Sequence, residues 1–402
     1  MAANAPLGRF EKQFWEPNPN AIGGRRERAG GPYEAFVPAE IADLRFDLDS
    51  EAVTAIASAT RALGQLNDPR SRSNSLSALA TSLLRSESAA SSRIEDLAIS
   101  HKRLARAAYK RPDRTGDRAV DVLGNLEAMA SAIELGASKK SIAVADLRGI
   151  HRVLLRFAVD KKIAGLVREE QNWIGGNDFN PIGAEYVPPP PEEVSRLLED
   201  LCEFIARDDL PAVAQAAIAH AQFENIHPFA DGNGRVGRAL IYVVLRKRGD
   251  AINYIPPISL VLAAQQKSYV AGLGRFSAGD VGSWCGLFAE ATGAASLEAQ
   301  HFAAQVEAQQ EEWLERLGRP RHDAAVNQLV HLMPEQPVLD VGVGRELTGK
   351  SHVAVQNALA QLEDAGILKR LNERKWGRVW ECDELLDLVE RFEESVATPR
   401  VG

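Results

Sequence analysis

Residues 211–226 read PAVAQAAIAHAQFENI and run directly into HPFADGNGRVGR at 227–238 and ALIYVVL at 239–245. In the first stretch Val213, Ala216, Ala217, His220 and Phe223 recur at helical spacing, which predicts a helix with one apolar face. Pro228 cannot continue that helix and disfavours α backbone at the residue before it, so His227 falls at the helix end. The apolar run 239–245 predicts a buried helix, and the glycine-rich loop between the two helices therefore feeds a helix N-terminus.

Such a terminus offers free N–H groups and a partial positive charge, the general recipe for an anion site, and Gly232 and Gly234 let backbone approach closely. Arg235 and Arg238 follow, three apart on one face of the first turn, where mutual repulsion and the helix dipole both disfavour cations. An anion in front would remove that conflict. Asp231 is an oxygen donor beside it, of the kind Mg2+ takes together with phosphate oxygens. His227, with an ordinary pKa near ~6.5, can accept a proton. Singly, each residue has an ordinary structural explanation as a histidine before proline, a turn aspartate or a Gly-Asn-Gly turn. Together they point to a nucleotide.

Composition bounds the rest. The chain has 402 residues, 45% hydrophobic and 25% charged, which suits a globular protein of two or three domains. Its 47 Lys and Arg against 55 Asp and Glu give a net charge of −8, which argues against a chain-wide embrace of nucleic acid or anionic lipid while leaving room for a local basic patch. Cys202, Cys285 and Cys382 show no CxxC spacing, so neither a disulfide framework nor a cysteine zinc site is expected. Met1 to Pro6 carries no secretory pattern and Ala239–Leu245 is too short to span a bilayer, so the expectation is a cytoplasmic protein with no membrane partner.

Along the chain, residues 1–40 are rich in Gly and Pro and are read as an irregular arm with no strong element. Leu76, Leu79, Leu83 and Leu84 mark helices between about 49 and 111, and helical patterning resumes from 112 to 156. Val167 to Ile174 and Tyr186 to Pro188, around Gly175-Gly176-Asn177, read as a β-hairpin. Pro191, Glu192 and Glu193 open a further helix, and Gly318 and Pro320 mark a boundary. The expected division is an N-terminal region 1–115, a core 116–300, a helical linker 301–320 and a small unit 321–402.

HPFADGNGRVGR matches in full the signature of the Fic family, and the chain resembles that family over roughly residues 30–300. The hairpin near 167–188 resembles the family's flap, with Trp173, Ile174, Tyr186 and Val187 as the expected target-docking residues. Pro256 to Glu290, with Leu260, Tyr269, Trp284 and Phe288, is similar to its closing helices. The resemblance implies a mainly α fold and a protein adenylyltransferase that uses ATP and Mg2+. It implies His227 as base, Gly232, Asn233 and Gly234 as phosphate cradle, Asp231 on the metal, and Arg235 with Arg238 on the phosphate charge. The implied partners are a target protein and the chain itself, with the oligomeric state left open.

Ser92 and Glu95 alone fit a capping box at a helix start. The family resemblance offers another role, because many members carry a Ser/Thr-x-x-x-Glu-Gly/Asn helix whose glutamate pairs with the second signature arginine. Ser91 and Glu95 match that pattern as an inhibitory helix, and Asp96 departs from it.

In the C-terminal unit GRELTGKS at 344–351 fits a P-loop pattern, yet too few residues follow to build a parallel sheet. A short helix near 340–347, a turn at Gly349-Lys350, a helix capped by Ser351, and two strands near 367–371 and 378–381 resemble instead a winged helix-turn-helix. Lys350, His352, Gln356, Asn357, Lys369, Arg370, Arg374, Lys375 and Arg378 could line a DNA-facing surface, or the same face could serve dimerisation or target docking. Two other functions stay open: removal of AMP at the same site, and a DNA-binding regulator that senses ATP.

Overall fold

The computed structural model describes residues 6–18, 24–68, 76–110, 116–138, 141–372 and 377–397. The fold is mainly helical. The helices up to residue 316 are α1 (Ser50–Leu66), α2 (Leu76–Ile94), α3 (His101–Tyr109), α4 (Arg118–Ala137), α5 (Val144–Leu154), α6 (Pro191–Ala206), α7 (Ala212–Ile226), α8 (Asn233–Lys247), α9 (Ile258–Ala264), α10 (Gln266–Ser277) and α11 (Val281–Arg316). Helices α7 and α8 form the centre, with almost every residue of α7 buried. An all-round apolar or small-residue surface is what lets a helix be enclosed by α1, α6, α8, α10 and α11. Helix α11 is one unbroken helix, so no break falls at position 300.

The N-terminal arm departs from the irregular segment expected. Strands β1 (Gly8–Trp15) and β2 (Gly31–Pro38) form an antiparallel ribbon with Gly8 opposite Pro38 and Trp15 opposite Gly31. The Gly and Pro residues punctuate its ends. The ribbon lies against the 167–188 segment through a bond from the Phe36 N–H to the Val187 carbonyl and an edge-on contact of Trp15 with Trp173 at 5.5 Å.

The C-terminal unit holds α12 (Ala325–Leu332), β3 (Val338–Leu339), α13 (Val341–Thr348), α14 (His352–Asp364), β4 (Lys369–Arg370), β5 (Trp380–Glu381) and α15 (Asp383–Ala397). Its sheet is antiparallel in the order β3-β5-β4, which excludes the parallel surroundings a P-loop needs. Gly349 turns at φ 66° and the Ser351 hydroxyl caps α14 on Ala354 N–H. This unit is fastened to α3: Arg106 makes two bonds to the Glu381 carboxylate (2.8 and 2.7 Å), Lys102 meets Glu381 and Asp383, and Tyr109 donates to Asp340 at 2.7 Å. Arg374 and Lys375 lie outside the described residues.

Candidate active site around the helix tip

Helix α7 ends at Ile226, and His227 takes left-handed backbone with φ 48°, a conformation that non-glycine residues adopt at a cost. Pro228 forces the chain out of the helix, and the loop returns through Gly232 (φ 80°) into α8 at Asn233. The loop is pinned from within. The Asn233 side chain accepts from the Phe229 N–H and donates to the Phe229 carbonyl, both at 2.8 Å. That amide is thus spent on the loop itself, and only the main chain of Asn233 is left to meet a ligand. His151 of α5 stacks on Phe229 at 3.9 Å, accepts from the Gly165 N–H on Nδ1 (2.9 Å) and so offers Nε2–H to the Asp231 carbonyl at 3.0 Å.

The predicted residues converge here. His227 is partly exposed, and its Nδ1 is buried without a hydrogen-bond partner. Burial first, then the Arg168 charge, pushes its imidazole down to about 4, against weaker opposing pulls from the Glu224 carbonyl, Glu95 and Asp231. It is therefore neutral at physiological pH, the state a proton acceptor needs. The Asp231 side chain is 65% exposed and accepts from the Gly232 N–H at 2.6 Å, with Arg235 3.3 Å away. Arg235 is otherwise buried, with its Nε unpartnered.

Arg238 is 1% exposed and bonds the Ser91 hydroxyl, the Ser91 carbonyl and Glu95 Oε1, each at 2.8 Å. Burial works to raise the Glu95 carboxyl, but Arg238, with help from Arg235 and His227, leaves it below its ordinary value. A side chain added at Gly234 would collide with that same carboxylate, so Glu95 sits directly over the helix tip. Ser91 and Ser92 lie in the last turn of α2 rather than at a helix start, so the capping box does not form. Instead Leu97 N–H bonds the Ser92 carbonyl and Asp96 N–H that of Arg93, a Schellman ending with Asp96 left-handed at φ 59°. This conformation explains the Gly/Asn preference at the position and why Asp, which tolerates it, still lets α2 dock. A carboxylate at a helix C-terminus opposes the dipole, so Arg238 and not the helix end holds Glu95 in place.

Behind Arg238, Glu224 is pushed up to about 8 by burial and has an unpartnered oxygen, while His220 shares a 2.9 Å bond with Tyr269. None of these was singled out from the sequence as a site residue.

The 167–188 segment is paired only at Ile174 and Tyr186, in one antiparallel bridge; bends and turns make up the rest. Its docking candidates divide. Ile174 is 43% exposed, whereas Val187 is buried and the Tyr186 hydroxyl is turned inward to the Asn225 carbonyl at 2.7 Å. Trp173 is half-buried and donates to the Asn177 carbonyl. Val187 thus presents no side chain to a partner.

The donor set around Asp231 suits Mg2+ in one respect: an exposed carboxylate at an anion loop, with no group of three or more acidic, His or Cys side chains able to hold a metal among the described residues. An ion that takes most of its ligands from phosphate and water needs no more.

Comparison with known proteins places this geometry. The family models described as Fic/DOC family and Fic/DOC family N-terminal match residues 141–245 and 53–134. A Caenorhabditis elegans protein named protein adenylyltransferase fic-1 is 30% identical over 147 residues, 35% of this chain and 26% of its own length. A Drosophila willistoni protein adenylyltransferase Fic is 30% identical over 158 residues, 38% of this chain and 28% of the relative. The chain thus spans about a quarter of the length of these relatives. Among solved structures, a Fic family protein from Desulfovibrio desulfuricans superposes with TM-score 0.51 at 20% identity, covering 84% of this chain and 97% of that one. With the loop from His227 to Arg238 and both segment matches in agreement, residues 53–134 and 141–245 of the chain are segments of the Fic/DOC family.

Proposed function

We propose that the chain is a nucleotidyltransferase that moves AMP from ATP onto a hydroxyl side chain of target proteins and of itself. The substrate oxygen attacks the α-phosphorus, the bond to the bridging oxygen of the β-phosphate breaks, pyrophosphate leaves, and the hydroxyl proton passes to His227. The Gly232–Gly234 main chain faces the phosphates, and Arg235 and Arg238 meet their charge. Asp231 would hold Mg2+, which when bound neutralises phosphate charge. The observation that carries this reading is a neutral, partly exposed His227 beside a helix tip whose glycine is covered by a single carboxylate.

In the resting chain that carboxylate is Glu95, and it competes with the γ-phosphate for Arg238, with Ser91 holding the same guanidinium. Because α2 belongs to the same chain, no separate inhibitor is required. Ile174 and Trp173 offer the docking edge for a target peptide. The C-terminal unit fits a winged helix, with His352, Gln356, Asn357, Lys369 and Arg370 exposed, although Arg370 is already paired with Glu363 and Lys369 with Asp383. The absence of any Lys or Arg on α14 favours a protein partner or a second copy there over DNA. No helix among the described residues is long and apolar enough to cross a membrane.

The test is α-labelled ATP offered with a cell lysate to the wild-type chain, His227→Ala and Glu95→Gly. Label in the wild type and more in Glu95→Gly, with none in His227→Ala, supports transfer. If Glu95→Gly instead loses the ability to strip AMP from a labelled protein, the reaction runs in reverse, with Glu95 aligning water.

A further inference from the structure

Arg168 lies just ahead of the 170–189 loop, is 6% exposed, and spends its side chain on main-chain oxygens. Its Nε donates to the His227 carbonyl (2.9 Å), Nη1 to Glu170 (3.1 Å) and Nη2 to Pro189 (2.5 Å). Its own N–H bonds the Pro228 carbonyl at 2.9 Å. One residue thus holds the chain on both sides of the His227–Pro228 bond and both ends of the loop that carries Trp173 and Ile174.

Carbonyl groups alone do not call for a cation. Nearby, the neutral amides of Gln171 and Asn172 serve the Pro188 and Phe229 carbonyls at 2.9 and 3.0 Å. A buried guanidinium with no ion pair among the described residues is costly, and burial lowers its pKa to about 10. Two features of its surroundings account for keeping it. His227 is held in a left-handed conformation that must be fastened by its neighbours, and a positive charge beside an imidazole opposes its protonation.

We propose that Arg168 is a positioning residue of this site, which ties the His227 carbonyl to both ends of the 170–189 loop so that base and docking loop keep one geometry. The inference rests on the transfer reaction proposed above. Of the charged groups that act on His227, Arg168 is the one that opposes protonation, while Glu95 on α2 and Asp231 on the loop favour it. Geometry and charge can therefore be separated by substitution: Arg168→Lys keeps the charge and loses the three-way reach, whereas Arg168→Gln keeps some donors and loses the charge.

The experiment uses the full chain with Glu95→Gly, and measures self-labelling from α-labelled ATP between about pH 4 and about pH 8, with kcat and KM for ATP resolved. Arg168→Lys is expected to lower kcat on the order of a hundredfold with ATP KM nearly unchanged and the acid limb where it was. Arg168→Gln is expected to lower kcat and also to move the acid limb to higher pH, toward ~6.5. Asn172→Ala, a milder loss at the same loop, should lower kcat less and leave the limb unmoved, which keeps the test open if an Arg168 variant melts early. Arg168 variants that melt like the parent and keep its kcat and acid limb would overturn this inference alone. A Glu95→Gly parent that transfers nothing would overturn the reaction and this inference with it.

Discussion

Replacing Glu95 by glycine removes one partner of a pair whose other member is wholly enclosed. The Arg238–Glu95 contact is 2.8 Å, with side-chain exposures of 1% and 38%. A hydrogen bond to a charged group contributes about 1.5–3 kcal/mol, and the exposure of Glu95 reduces this to about 1–2 kcal/mol through solvent screening. If seating the γ-phosphate first requires that bond to break, the same amount separates resting from released activity, a factor of about 5 to 30 in rate. Arg238 would keep its bonds to the Ser91 hydroxyl and carbonyl, so it should remain aimed at the helix tip. The assay is initial-rate self-labelling from α-labelled ATP at fixed protein concentration, with Glu95→Gln as a size-matched control that should fall between the two. A rate within twofold of wild type, in a chain that still melts cooperatively, would refute the idea that Glu95 occupies the phosphate seat.

Other outcomes follow from the same structure. His227→Ala should bind ATP like the wild type yet transfer about 10²- to 10⁴-fold more slowly, measured by nucleotide-binding calorimetry beside labelling. Glu224 is raised to about 8 in the fold, so its contribution to stability is fully present below the ordinary carboxylate range and lost as pH rises through about 8. Glu224→Gln should therefore melt higher than wild type at about pH 8.5 and show no such advantage near pH 5, and equal differences at both would contradict this. Arg106→Ala leaves a carboxylate only 2% exposed with Lys102 as its remaining cation, and after allowance for the exposure of Arg106 should cost about 1 kcal/mol in thermal unfolding. Arg9→Ala, on an exposed pair, should change nothing measurable.

The loop from His227 to Arg238 was legible in the sequence because proline and glycine dictate local backbone whatever surrounds them. The same holds for α6, opened by Pro191, and for α14, capped by Ser351. What escaped reading depends on long-range pairing. The β1–β2 ribbon was hidden by its punctuating Gly and Pro and by Phe10 and Phe14, which stay exposed at 67% and 61% and so mark no core face. The 167–188 segment is shaped less by a strand ladder than by side chains reaching carbonyls, from Arg168, Gln171, Asn172 and Trp173, and such bonds leave no periodic trace. His151 and Arg168 matter through partners 80 and 59 residues away, and a lone histidine or arginine at that separation carries no local signal.

Gly234 imposes a symmetry on whatever visits the helix tip. In the proposed reaction the bare backbone that would let a phosphate approach is the same bare backbone against which Glu95 rests, and a methyl group there would displace that carboxylate. Plug and substrate are thus read by one undiscriminating contour. A side chain at this position would bear on both anions of the proposed reaction, so preference between them has to be set from the far side, by whatever fixes the angle and depth of α2.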